Sequence, residues 1–189
     1  TNKINNNERG FALPLALLLL VVMTIMGLTL VTITSKEHTA NTDKDTNQQV
    51  FYAAESGIAI AKKWMGTETS TLEAASPTAR DGNLKFCKTT LFPNLKDNSN
   101  SLHSGSNQLS NVILDARDKE KERLEKYSFE YFIAYSPDAN GNNSSAKKKP
   151  GTNNILYTIY SCGCNESKDK CSAQNNVIVP LEAVVTLVN

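Results

Sequence analysis

The stretch that decides the fold is residues 11–35, FALPLALLLLVVMTIMGLTLVTITS, which contains no charged side chain. A helix rises about 1.5 Å per residue, so this segment extends roughly 35 Å, enough to cross the apolar core of a bilayer. The 189-residue chain has a formal charge of +1, which provides no basic footprint for nucleic acid. The sequence therefore predicts one membrane-spanning helix and no nucleic-acid partner.

This apolar segment is either a secretory signal that is cleaved off or a membrane anchor that is retained. A cleaved secretory signal has an apolar core of about 7 to 15 residues, followed by a small-residue cleavage site. Here the core is longer, and residues 32–37, TITSKE, contain no such site. The preceding residues 1–10 contain Lys3 and Arg9 against Glu8, so the positive-inside bias keeps them in the cytoplasm. We therefore expect a retained single-pass anchor with an exported C-terminal domain.

The junction at residues 8–13, ERGFAL, ends a charged leader in glycine and continues with phenylalanine and an apolar helix. It resembles the cleavage site of type IV prepilins and of type II secretion pseudopilins. The resemblance implies that a prepilin peptidase cuts between Gly10 and Phe11 and methylates the new amino terminus. Glycine suits the position before the cut, because the absent side chain lets extended backbone enter a narrow site. A plain signal anchor is the alternative.

An amphipathic pattern follows the apolar segment, and it predicts one long helix over residues 11–65 that ends near Gly66. Its apolar residues recur at three- and four-residue steps: Val50, Ala54, Gly57 with Ile58, Ala61 and Met65. Within it, NTDKD at 41–45 followed by FYAAESG at 51–57 resembles the region after the anchor in PilX-type minor pilins. An ordinary coiled-coil stalk is the alternative for this segment.

The resemblance implies the type IV pilin fold, an α+β arrangement in which a long N-terminal helix packs on a small antiparallel β-sheet. The implied segments are a leader peptide (1–10), a transmembrane half of the helix (11–35), an amphipathic half (36–66) and an exported globular domain (67–189).

Besides Phe11 at the cut, three positions of the apolar helix bear on assembly. Pro14 falls in the first turn, where its missing N–H costs little. Gly27 weakens the helix, and either local unwinding or close packing against neighbouring helices accounts for it. Leu15 is the fifth residue after the cut, where most pilins have a glutamate thought to neutralise a neighbour's amino terminus.

A carboxylate near the middle of a bilayer costs on the order of 3 kcal/mol, so it is kept where it has a partner. A subunit with no subunit ahead of it needs no such carboxylate. Leu15 therefore implies a tip position, as in GspK-type pseudopilins, with drift in a minor component as the alternative.

The function implied is that of a minor pilin in the initiation or tip complex of a type IV pilus. It would lie in the inner membrane with a periplasmic C-terminal domain, and then in the pilus. The implied partners are other minor pilins, the major pilin, prepilin peptidase and, as a further candidate, a PilY-type tip adhesin. A type II secretion pseudopilin and a membrane-anchored monomeric binding domain are the alternatives, and the latter needs no cut after Gly10.

Three strand patterns mark the soluble domain. Tyr and Phe alternate with smaller residues over 127–135, a second run covers 155–160, and a third covers 177–188. Pro180 in the third run indicates an edge strand or bulge. We expect the aromatic stripe to form core, and the charge-dense residues 115–126 to form a short solvated helix or turn.

Four cysteines, Cys87, Cys162, Cys164 and Cys171, all follow the anchor, and an even number in an exported domain predicts two disulfides. Cys162 and Cys164 on one strand would have Cα atoms about 6.6 Å apart, at the limit of disulfide geometry. Cys171 therefore pairs with one of them and Cys87 with the other. A zinc site is the rival, although the spacing matches no common zinc module.

No motif predicts an enzyme or a cofactor. The chain has two histidines and lacks a phosphate loop, a nucleophile elbow and a metalloprotease motif. Residues 138–142, DANGN, resemble the start of a calcium loop, but Lys149 occupies the twelfth position, where a bidentate acid is required. We expect these residues to form a turn between two strands.

Overall fold

The computed structural model describes residues 12–79, 84–96, 100–113, 117–171 and 176–187. The chain divides into two compact units, Thr1–Asp45 and Thr46–Asn189. Helix α1 (Ala12–Thr67) begins in the first unit and ends in the second. Within the first unit, residues 12–45 are helical throughout.

The end of α1 differs slightly from the expectation that Gly66 caps it. Gly66 lies inside the helix, which ends at Thr67, and the Glu68 N–H donates to the Trp64 carbonyl at 2.8 Å. An added Cβ at Gly66 would meet no atom within 4 Å, so no contact requires glycine there. Helix α2 (Thr69–Ala74) follows at once.

The second unit also contains helix α3 (Asp118–Leu124) and, within the described ranges, seven strands. The strands are β1 (Thr78–Ala79), β2 (Asn100–Ser101), β3 (His103–Gln108), β4 (Ser128–Tyr135), β5 (Lys147–Lys148), β6 (Ile155–Cys164) and β7 (Ile178–Thr186).

The main sheet is antiparallel and has β6 at its centre. Strand β4 lies between β3 and β6, β7 pairs with the other side of β6, and β5 pairs with β6 beyond the end of β4. Strands β1 and β2 form a separate two-stranded ladder. Pro180 lies in β7, which has one pairing partner among the described strands, in agreement with an edge position.

The C-terminal part of α1 packs on one face of this sheet through a stripe of mostly small residues. The buried members of the stripe are Val50, Ala53, Ala54, Gly57, Ala61 and Met65. At the point of closest approach, the Ser161 hydroxyl of β6 donates to the Ala54 carbonyl at 2.8 Å. An added Cβ at Gly163 would overlap the Val50 carbonyl oxygen, so the backbone of β6 touches the helix directly.

The aromatic stripe is core, as expected. Phe129 and Ile133 of β4 and Ile159 of β6 are fully buried against the helix. Burying each side chain of this size contributes about 1.5–3 kcal/mol relative to leaving it exposed. The helix and the helix-facing side of the sheet therefore share one apolar core, and the fold is α+β and consistent with a pilin-like fold.

The opposite face of the sheet is covered in part by residues 84–96. Phe92 from this segment packs edge-to-face on Tyr160, with ring centroids 4.9 Å apart, and Tyr160 stacks on Phe132 at 4.8 Å. The second unit thus has three layers: helix, sheet and covering segment.

The expected elements are present, and four of the seven described strands were missed: β1, β2, β3 and β5. Strands β4, β6 and β7 and helix α3 match the predicted runs, although β6 continues to Cys164. Strand β3, His-Ser-Gly-Ser-Asn-Gln, has no apolar alternation, because it lies at the edge of the sheet and is half exposed. Its pairing with β4 places it there.

Candidate functional site

The first half of α1 is the candidate assembly surface. Every residue of 12–45 is exposed in the single chain, and the large apolar side chains there are 41–71% exposed. In the part of the chain that the structure describes, α1 is one helix long and apolar enough to span a membrane. Such a surface needs lipid or other apolar helices around it.

The predicted assembly residues lie along this surface. Pro14 is in the first turn of α1, and Leu15 beside it is 51% exposed. The helix is unbroken at Gly27, and an added Cβ there would meet no atom within 4 Å. The local unwinding considered for Gly27 is therefore absent from the single chain. The roles of these three residues in assembly stay predictions.

Threonine hydroxyls in the apolar half are satisfied within the helix. Thr24 donates to the Val21 carbonyl, Thr29 to the Met26 carbonyl and Thr32 to the Thr29 carbonyl, each at 2.8 Å. Polar groups that have partners inside their own helix need none from the surroundings. These hydroxyl groups of α1 therefore do not require hydrogen bonds from lipid or from a neighbouring helix.

The predicted processing residues, Gly10 and Phe11, lie outside the described residues. Cleavage between them stays a prediction from the sequence.

The four cysteines form two disulfides, as predicted, and the structure supplies the pairing that the sequence left open. Cys87 pairs with Cys162, with Cα atoms 5.4 Å apart, and Cys164 pairs with Cys171 at 6.2 Å. The first closes a separation of 75 residues and the second one of 7. In the chain-entropy model these contribute about 4 and about 2–3 kcal/mol, respectively.

The Cys-Gly-Cys sequence in β6 makes contacts on both faces of the sheet. Cys162 and Cys164 point away from the helix, where their disulfides hold the covering segment and the 164–171 loop. Gly163 between them faces Val50 of α1. Alternation puts both cysteines on the same face, and the separation of about 6.6 Å between their Cα atoms is at the limit of disulfide geometry, so they pair with other cysteines.

Sequence reasoning missed a buried carboxylate, Glu130 of β4, which is 0% exposed. Three consecutive backbone N–H groups donate to it: Lys85, Phe86 and Cys87, at 2.9–3.0 Å. Hydrogen bonds to a charged acceptor are worth roughly 1.5–3 kcal/mol, so Glu130 anchors the covering segment to the sheet. A lone Glu within an aromatic strand was the available indication in the sequence. In the structure it lies opposite Cys162 of β6.

No protein-family model, curated protein or solved structure matches this chain.

Proposed function

We propose that this chain is a minor pilin of a type IV pilus, part of the initiation or tip complex that primes assembly. The proposal rests on the difference in burial between the two halves of α1. Its first half exposes apolar side chains on all sides, and the stripe in its second half is buried on an antiparallel sheet.

The apolar half of α1 suits a subunit that moves from membrane to filament. Lipid tails are as apolar as leucine, so exchanging lipid neighbours for apolar helices requires little change in hydrophobic free energy. Threonine hydroxyls that bond within the helix remain satisfied in both environments. The same segment could therefore serve first as an anchor and then as the packing surface in a filament.

The second unit suits a domain that works outside the cytoplasm. Disulfides persist in oxidising compartments such as the periplasm, and two of them close this domain. Leu15 supports a place at the tip, since the position that usually holds glutamate carries no carboxylate to pair with a subunit ahead.

Processing by prepilin peptidase tests the proposal. The full chain is produced in bacteria with and without a prepilin peptidase, and its amino terminus is determined by mass spectrometry. We expect protein beginning at methylated Phe11 when the peptidase is present. Gly10→Val should keep its leader, because a branched Cβ crowds the backbone near the scissile bond. Gly27→Ala is the matched control and should be cut normally.

An amino terminus upstream of Phe11, or beyond residue 35, would contradict the pilin proposal. A cut at Gly10 without recovery in sheared pili would favour the type II secretion pseudopilin. No cut at all would favour a membrane-anchored monomeric binding domain.

The tip assignment is tested by Leu15→Glu, with Leu17→Glu as the matched control. Each places a carboxylate in the apolar segment at a cost on the order of 3 kcal/mol. At a tip neither has a partner, so both should reduce incorporation into sheared pili. If Leu15→Glu alone retains incorporation, and the labelled subunit lies along the filament, the tip position is wrong and the pilin assignment stands.

A further inference from the structure

Strand β7 has an outer side to which none of the described strands is paired, and this side is called the free edge here. Two hydrogen bonds show which groups point to it. The Ser136 N–H donates to the Leu156 carbonyl at 3.1 Å, in the register of β4 with β6, and the Asn165 N–H donates to the Val177 carbonyl at 3.4 Å, in the register of β6 with β7. Hydrogen-bonded positions alternate in antiparallel pairs, so odd-numbered residues of β7 bond to β6. The N–H and C=O groups of its even-numbered residues therefore point to the free edge.

Pro180 agrees with this assignment, because it lies at an even-numbered position and has no N–H to donate. The missing donor weakens pairing at the N-terminal end of the free edge. Beyond it, within the described ranges, no hydrogen bond outside the β6 ladder reaches the N–H of Glu182, Val184 or Thr186. The C-terminal half of the free edge is therefore the part that can accept a further strand.

An open groove lies beside the free edge on the helix-facing side of the sheet. Ala183 faces this side, because its cross-strand neighbour Ile159 belongs to the core shared with α1. The small side chain of Ala183 leaves space that a large apolar side chain of an added strand would fill. The groove has a volume of about 420 Å³ and is lined by Glu55, Ile58, Ala59, Lys62 and Ala183.

The other face of β7 has a negative charge next to the groove position. Glu182 is exposed, and in the described part of the chain it forms no ion pair. The Asn94 amide lies 3.5 Å from its carboxylate and is neutral. A lysine or arginine directly opposite Glu182 on an added strand would be favourable. The longest pairing with a second copy of β7 is centred on Glu182, and it would place two carboxylates opposite each other, which is unfavourable.

We propose that the free edge of β7 accepts an extended segment of another protein as an additional antiparallel strand. In this mode of recognition, main-chain hydrogen bonds supply affinity and pockets for alternate side chains supply specificity. The segment has a basic residue opposite Glu182 and, beside it, a large apolar residue opposite Ala183. Consecutive residues of a strand point to opposite faces, so one basic–apolar dipeptide satisfies both positions. The site lies within the second unit, so it does not depend on assembly into a pilus.

Binding of synthetic peptides to the full chain in detergent, followed by fluorescence anisotropy, tests the proposal. Paired antiparallel, the peptide Ser-Val-Thr-Leu-Lys-Ile-Ser places its leucine opposite Ala183 and its lysine opposite Glu182. A second peptide has glutamate in place of the lysine. We expect the lysine peptide to bind about 2- to 10-fold more tightly, from the effect of cross-strand charge pairs. Replacing its leucine by alanine should weaken binding about 10-fold, since less apolar surface is buried.

Two substitutions in β7 place the binding at the free edge. Glu182→Lys should reverse the preference, so that the glutamate peptide binds more tightly. Val184→Pro removes an N–H that points to the free edge, and it should weaken both peptides about 2- to 10-fold. The matched controls are Glu122→Lys on the exposed surface of α3 and Val184→Thr, which retains the N–H, and neither should change the binding. Unfolding curves verify that each variant is folded.

The contrary outcomes are distinct, and each would overturn the proposal. Binding of neither peptide would show that Pro180 and Glu182 close the edge, as proline and charged residues do on many edge strands. Equal binding of both peptides, or binding that is unaffected by both substitutions, would place the contact elsewhere on the protein. A dimer of the full chain that dissociates on Val184→Pro, measured by analytical ultracentrifugation, would make a second copy the occupant.

Discussion

The two halves of α1 belong to one helix, but only the second half buries side chains within the chain. In residues 12–45 the large apolar side chains are exposed, with Leu13 at 71%. In the second half the buried stripe is mostly alanine and glycine. Hydrophobicity alone therefore does not decide what this chain buries. The sheet accepts small residues because its backbone approaches the helix closely, and the large apolar residues need neighbours from outside the chain.

The largest effect is expected for Gly163→Val, which places a side chain where the backbone of β6 touches α1. Its Cβ would overlap the Val50 carbonyl and lie 2.8 Å from the Ala54 nitrogen, and backbone atoms of a packed helix cannot move aside cheaply. We expect a loss of unfolding free energy of more than about 4 kcal/mol, the range of severe single substitutions. Denaturant unfolding of the full chain in detergent measures it.

Gly27→Ala is the control from the exposed half. An added methyl there meets no atom within 4 Å, and alanine favours a helix by about 1 kcal/mol over glycine. The unfolding of the second unit should not change. Equal effects of the two substitutions would refute the contrast between the halves.

An intermediate effect is expected for Glu130→Gln, which tests the other face of the sheet. The amide keeps the size of the side chain but replaces one acceptor oxygen by a donor, opposite backbone N–H groups of residues 85–87. We expect a loss of about 2–3 kcal/mol, because buried donors lose their acceptor. Glu122→Gln on the exposed surface should cost almost nothing, and hydrogen exchange of the Phe86 amide would locate the damage.

The smallest effect concerns pH at the far end of α1. His103 stacks on Trp64 with ring centroids 3.7 Å apart, its Nε2 lies 3.4 Å from the Tyr131 hydroxyl, and burial lowers its pKa below 6.5. The folded state therefore favours the neutral ring. Its contribution is complete above the unfolded pKa, decreases as pH falls below it, and is lost once pH has fallen through the folded value.

Because His103 is partly exposed, its desolvation is incomplete, and we expect this loss to be the smallest of these effects. Unfolding free energies measured at a pH above 6.5 and at a pH below the folded value give the difference. His103→Phe keeps an aromatic ring beside Trp64 but does not titrate, so its stability should vary less between the two conditions. The same pH dependence in His103→Phe would assign the effect to another group.

Much of the fold was predictable because its determinants are local. The stripe from Val50 to Met65 follows helical spacing, and the alternation around Phe129 follows strand spacing, so each pattern specifies its element and its inward face. Strand β3 could not be predicted in this way. Its residues are polar, and pairing with β4 rather than burial makes them a strand.

The candidate sites divide in the same way. Leu15 could be named because it is the fifth residue after the proposed cut, and Pro14 and Gly27 because they interrupt the apolar helix. The contacts of Glu130 could not be predicted, since they join β4 to backbone N–H groups 43 to 45 positions away along the chain.

The sequence by itself determined the long apolar helix, its amphipathic continuation, three of the strands and the number of disulfides. Each of these follows from composition or from a repeat of two to four residues. Only the tertiary structure decided that Cys87 pairs with Cys162, that Glu130 receives the N–H groups of the covering segment, and that Gly163 must touch Val50. These contacts join residues 43 to 113 positions apart, and no short-range pattern carries information on which distant groups packing brings together.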